Sequence, residues 1–241
     1  MACDTYYVLT SPSSSCPGEL TGEQCLTLQQ FANSPGHSSS VLLMMESGNH
    51  TLDSAISLSN IYNFTMVPLM PNSNVRVVCS AQSNASASFL LTSISFVQLQ
   101  GVSIEGCTYS KFGTNGDSVL INDVSFSNLS DGGILIRNIS NRVQMNNVTF
   151  INSDITEIDT VPTTRIQMSD IFFDSGRSIS VGPAAEFSIE DSTFQGGSAS
   201  ALYLYSIDRG TVVICCFHNN NRYEERVGNW NGGALSVLYS F

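Results

Sequence analysis

VLINDVSF at 119–126, VQMNNVTF at 143–150, IQMSDIFF at 166–173 and FSIEDSTF at 187–194 are copies of one eight-residue pattern. Each copy has a large apolar residue at its first, third and eighth places, and the sixth holds Val124, Val148, Ile171 and Ser192. Upstream, Val97, Leu99, Val102 and Ile104 fit the same template; downstream, Val212, Cys215 and Phe217 fit it without the first apolar residue. The eighth-place residues are Ile104, Phe126, Phe150, Phe173, Phe194 and Phe217, separated by 22, 24, 23, 21 and 23 positions. A period of this length marks a stacked repeat. Within each copy the apolar residues alternate, which is strand periodicity. The alternation slips by one residue at the fifth place, held by Gly101, Asp123, Asn147, Asp170 and Asp191. Gly, Asn and Asp tolerate a left-handed backbone, so the fifth place reads as a one-residue bend between two short strands.

A third strand belongs to each unit, at Ile134-Leu135-Ile136, Ile179-Ser180-Val181, Ala201-Leu202-Tyr203 and Leu235-Ser236-Val237. Three short parallel strands per turn of about 22 residues describe an all-β, right-handed parallel β-helix, a solenoid whose equivalent residues stack at about 4.8 Å. One interior column then runs through Phe126, Phe150, Phe173, Phe194 and Phe217. A β-sandwich accommodates short strands too, but does not explain one pitch for one pattern. Less regular coils are expected before this array, with strands at 41–45, 56–58, 64–66 and 75–78. Residues 1–40 read as a cysteine-containing segment with a cap helix over 21–33, where Thr21 and Gln24 form a capping-box pattern; residues 41–241 read as the solenoid. A strand layer left open at Phe241 leads to the expectation that the polypeptide continues.

The coil template, the cap helix and Gly232-Gly233-Ala234-Leu235 resemble the right-handed parallel β-helix proteins of the pectin lyase-like superfamily. The glycine-pair strand with Phe217-His218-Asn219-Asn220 is similar to repeats of polymorphic outer membrane proteins. These resemblances imply a large secreted or cell-surface protein and transfer no catalytic residue. The superfamily's polygalacturonase-type signatures, Asn-Thr-Asp, Asp-Asp, Gly-His-Gly and Arg-Ile-Lys, are absent; Arg165-Ile166-Gln167 only mimics the last.

Charge narrows the function classes. Charged residues are 12% of the chain, lysine occurs once, at Lys111, and the formal net charge is -11. Nothing here neutralises a run of phosphates, so nucleic acid is not an expected partner. No apolar run reaches the length of a membrane span. Seven cysteines, three of them within the first 25 residues, suit disulfides in an oxidising compartment, with pairings open. Six Asn-x-Ser/Thr sequons, at Asn49, Asn63, Asn84, Asn128, Asn138 and Asn147, compare with about four expected by chance.

Candidate chemistry is sparse, and no cofactor motif is present. Asp170 and Asp191, equivalent places in adjacent coils about 5 Å apart, form a carboxylate pair for calcium or acid–base work, or two bend residues. His37, His50 and His218 read as surface or turn histidines. Cys215 and Cys216 should alternate inward and outward. The longest departure from the period, 219–231, holds Tyr223 and the one tryptophan, Trp230. It is either a binding loop or a surface insertion. The expected function is a non-catalytic extracellular module for adhesion, binding glycan or protein. A polysaccharide lyase or glycoside hydrolase and a structural spacer are the competing classes.

Overall fold

The structure is a computed structural model that describes residues 4–11, 25–34, 36–37, 39–80, 89–108, 110–129, 133–153, 156–175, 179–196, 202–213, 215–218 and 235–238. It is an all-β parallel solenoid built as three stacks of strands. In the first stack, Ser40–Met45, Asn63–Pro68 and Phe96–Gln100 lead into the long strands Ser118–Ser127, Arg142–Ile151 and Arg165–Asp174, followed by Ala184–Glu190 and Ile207–Val213. The long strands bend and continue into the second stack, between Gly48–Leu52, Val75–Cys79 and Val102–Glu105 on one side and Thr193–Gln195 and Cys216–His218 on the other. The third stack runs from Ile56–Ser59 to Leu235–Leu238 through Ile134–Arg137, Thr156–Asp159, Ile179–Gly182 and Leu202–Tyr205.

Register follows the predicted template: Val119 pairs with Val143 and Val143 with Ile166, while Phe126, Phe150, Phe173, Phe194 and Phe217 succeed one another in one row. The four rings Phe126, Phe150, Phe173 and Phe194 are fully buried, with successive centroids 5.4, 6.3 and 6.1 Å apart. Burying each is worth roughly 2–3 kcal/mol. Val212 holds its expected place, paired with Ile189, yet is 37% exposed because it stands on the last strand of its stack among the described residues.

The fifth-place bend is left-handed at all five named places, with φ of 62, 54, 52, 53 and 49° for Gly101, Asp123, Asn147, Asp170 and Asp191. Two further left-handed corners that the eight-residue pattern does not mark recur along the stack. One, after the second strand, is Gly106, Asn128, Asn152, Ser175 and Gly196; the other, after the third, includes Asn60, Ser93, Asn115, Asn138 and Ser206. These corners keep the coil-to-coil ladder unbroken. The backbone N–H of Gly106, Asn128, Asn152 and Ser175 donates to the carbonyls of Ser127, Ile151, Asp174 and Gln195, all at 2.9–3.0 Å.

The cap differs from expectation. The helix is only Leu28–Ala32, with Thr27 as N-cap and Gln30 completing the capping box; Thr21 and Gln24 lie outside the described residues. Cys25–Thr27 is a strand that pairs with Tyr7–Leu9, because an open strand edge offers these residues hydrogen bonds that so short a helix cannot match. The short helix still covers the coil edge: Leu28 and Phe31 are buried, and the Gln29 side-chain oxygen accepts from the N–H groups of Asp53 (2.6 Å) and Ser54 (3.2 Å). Between coils, Cys79 and Cys107 form a disulfide with Cα atoms 4.9 Å apart.

Replacing Phe150 by Ala should cost about 3–5 kcal/mol in urea unfolding, since the rings above and below are held by their own coils; a cost below about 1 kcal/mol would contradict the stacked column. At the bend, Asn147→Gly should be near neutral and Asn147→Val should cost at least about 1 kcal/mol, both on unglycosylated protein. Equal tolerance of the two would remove the left-handed requirement.

Candidate functional site

The residues singled out from sequence do not converge. Tyr223, Trp230 and the sequon residue Asn84 lie outside the described residues. Asp170 and Asp191 are exposed corner residues in adjacent coils, at the place that Asn147 and Gly101 fill elsewhere. No group of three or more His, Cys, Asp or Glu side chains poised to hold a metal occurs among the described residues. Arg165 points outward and joins a ladder, its Nε 3.2 Å from Glu186, which also meets Arg209 at 2.6 Å.

Three sequons have a structural origin. Asn128, Asn138 and Asn147 are left-handed corner residues, and the next residue of each, Leu129, Ile139 and Val148, points into the core. At Asn138 and Asn147 a corner Asn, an inward apolar residue and a hydroxyl residue outside the core, Ser140 or Thr149, spell Asn-x-Ser/Thr. The amide groups of Asn138 and Asn147 donate to Asn115 Oδ1 (2.9 Å) and Asp123 Oδ1 (2.8 Å) one coil away. Asn49 is exposed and Asn63 half-buried, both on strands.

His50 corrects the expectation of a surface histidine. It occupies an inward place of Gly48–Leu52 and is 1% exposed. Its Nε2 lies 2.7 Å from the Glu46 carbonyl, which can only accept, so Nε2 carries the proton and Nδ1 is left without a partner. Burial pushes its pKa down, opposed by the Glu46 carbonyl and carboxylate. His37 is half-buried, its ring 4.5 Å from that of Phe31, and burial lowers its pKa as well. Cys215 packs against the core and Cys216 is exposed, in the expected alternation; both are free thiols.

The most chemically varied surface is the outward face of the third stack. Ile179 pairs with Leu202, so this strand begins one residue later than Ala201, where the sequence reading set it. That slip turns every side chain over. Leu202 and Leu204 point inward, and Tyr203 and Tyr205 stand half-buried on the outer face with ring centroids 5.8 Å apart and planes 30° apart. The Tyr205 hydroxyl donates to Asp159 Oδ1 at 3.4 Å, two coils back. Gly182 lies one coil back from Tyr205, where the two backbones approach so closely that a Cβ would meet the Tyr205 carbonyl oxygen at 1.9 Å and Tyr205 Cδ2 at 3.2 Å. Arg137 completes the cluster, its Nη2 3.0 Å from both carboxylate oxygens of Glu157 and its Nε 3.9 Å from Asp159. Burial, then the charges of Asp159 and Glu157, push the Tyr205 phenol upward against the opposing pull of Arg137, so it remains a protonated donor. A sequence signal for this face existed in Leu202-Tyr203-Leu204-Tyr205, whose alternation fits either phase until the partner strand is known.

A second concavity, of about 740 Å³, lies where Pro68, Pro71 and Ser73 of one coil overhang Gln100, Gly101 and Asp123 of the next two. Its walls set Val67, Pro68, Leu69 and Pro71 beside the amide, hydroxyl and carboxylate groups of Asn72, Ser73, Gln100 and Asp123. No family model matches the chain, and no curated protein is similar to it.

The downward shift of His50 means that the unfolded chain takes up a proton first as pH falls below about 6.5, so stability declines from there towards the folded-state value. The melting temperature should therefore drop as pH falls below about 6.5, and His50→Gln, which keeps a donor for the Glu46 carbonyl, should reduce that drop. An undiminished acid loss in the variant would assign it to other groups.

Proposed function

We propose that this chain is a non-catalytic extracellular β-helix module of pectin lyase-like architecture that recognises glycan through its outer strand faces. The observation carrying this reading is the Tyr203–Tyr205 pair set beside Glu157, Asp159 and Arg137 on a rigid sheet. Flat aromatic faces take up the C–H faces of sugars while fixed carboxylate and guanidinium groups orient the hydroxyls, and a rigid strand presents both at little ordering cost. The Cys79–Cys107 disulfide supports a secreted or surface location. A net charge of -11 argues against nucleic acid as the partner. The 219–231 insertion, with Tyr223 and Trp230, is a second candidate contact for glycan or an extracellular protein.

The test is retention on a glycan array. The double variant Tyr203→Ala, Tyr205→Ala should lose binding while still unfolding in one cooperative transition, at a lower temperature because two half-buried rings and the Tyr205–Asp159 hydrogen bond are gone; aromatic anchors dominate contacts of this kind. Release of unsaturated or reducing ends from a uronate polymer, abolished by Asp170→Asn, would replace this reading with an enzymatic one. Full retention by the double variant would move the site away from the third stack.

A further inference from the structure

Positive charge gathers on the outward face of the first stack. Arg142, Arg165, Glu186 and Arg209 pair in succession, one per coil, so three of the nine lysine and arginine residues in a chain of net charge -11 share one column. Glu186 meets two of them, Arg165 and Arg209. Arg142 has no carboxylate partner among the described residues and stands exposed, directly beside Arg165. Like charges side by side across strands destabilise a sheet. Elsewhere on the outer faces guanidiniums stand against carboxylates, Arg76 beside Glu105 and Arg137 beside Glu157.

Two residues further along the same strands runs the column Gln167, Ser188 and Thr211. Between the two columns lies a trench of about 360 Å³ that crosses three coils, with the inward-facing Ile166 and Phe187 at its floor. Its width is the separation of outward residues two apart on a strand, about 7 Å. Arg142 reaches diagonally to one end, where its Nη2 donates to Gln167 Oε1 at 2.6 Å. That bond fixes the Gln167 amide with its NH2 group left to donate elsewhere.

We infer that this end of the trench is a subsite for a sulfate ester on a glycan, an inference that rests on the glycan-binding reading above and adds a contact separate from Tyr203 and Tyr205. The Arg142 and Arg165 guanidiniums and the Gln167 amide supply three donor groups on two adjacent coils, one for each terminal oxygen of a sulfate; a carboxylate has only two. Arginine suits the task, since its planar fork grips oxyanions and is weakly hydrated. A bound sulfate also relieves the repulsion between Arg142 and Arg165. Glu186, the one carboxylate lining the trench, is held by Arg165 and Arg209 and keeps the anion at the Arg142 end, while the Ser188 and Thr211 hydroxyls line the course of the sugar rings beyond.

The test is an array of tetrasaccharides with N-acetyllactosamine, galactan and mannan backbones, each unsubstituted, carrying one sulfate ester or ending in one glucuronate. Sulfated members of at least one backbone should be retained about tenfold more strongly than their unsubstituted partners, and glucuronate members should not. Arg142→Gln and Arg165→Gln should each remove that preference, whereas Arg76→Gln, the same charge change on the second stack, should keep it. Arg142→Gln should melt at or above the parent temperature, because it removes a like-charge neighbour. Glucuronate members held as strongly as sulfated ones overturn the choice of sulfate, and inorganic sulfate that competes as well as the sulfated tetrasaccharide overturns the glycan as its carrier. A preference that survives both arginine variants, or is lost equally in Arg76→Gln, overturns the position. Equal retention of sulfated and unsubstituted members overturns the subsite and leaves glycan recognition standing; retention of no member overturns both.

Discussion

Parallel pairing in strict register is the constraint on which everything else in this molecule rests. Each residue of a coil hydrogen-bonds beside its equivalent in the next, as Val119, Val143 and Ile166 do, so a side chain's environment is set by its counterparts one turn before and after. A column tolerates only what its neighbours can pack against. Inside, this yields rows of one chemistry, Phe126, Phe150, Phe173 and Phe194 above all, with ring on ring and no room for collapse. Outside, it yields rows of amides, hydroxyls and compensated charges such as Arg165, Glu186 and Arg209.

The corners follow from the same constraint. A closed coil of three short strands has to turn sharply several times, and each turn must leave its N–H aimed at the coil beyond. A single left-handed residue achieves both, which is why Gly, Asn, Asp and Ser recur there. The side chains of these corner residues then link coils a second time, as Asn147 does to Asp123. Two features that look functional in a linear sequence arise from this geometry: the Asp170 and Asp191 pair, and the run of sequons at Asn128, Asn138 and Asn147.

Departures from the repeat are correspondingly informative. A solenoid built from like rows has no structural need for two tyrosines side by side on an outer face, one of them bonded to a carboxylate two coils away. His50 is another departure, an imidazole in an inward row with one nitrogen unpaired. It lies on Gly48–Leu52, the strand against which the short capping helix packs.

The sequence by itself determined the fold class, the period, the Phe row and the first bend, because each is a local pattern repeated at one pitch and every copy testifies to the others. It also contained the other two corners, but their Asn, Ser and Gly residues are the ordinary vocabulary of turns and do not announce a column until the strands between them are known. What only the tertiary structure decided is phase and neighbourhood. Leu202-Tyr203-Leu204-Tyr205 alternates equally well either way, and pairing of Ile179 with Leu202 rather than Ala201 is what turns both tyrosines outward. The meeting of Tyr205 with Asp159 spans 46 residues. Likewise, Thr27 and Gln30 cap the helix because the three residues before Leu28 are claimed by a strand edge, a competition between local propensity and a distant partner that no local window contains.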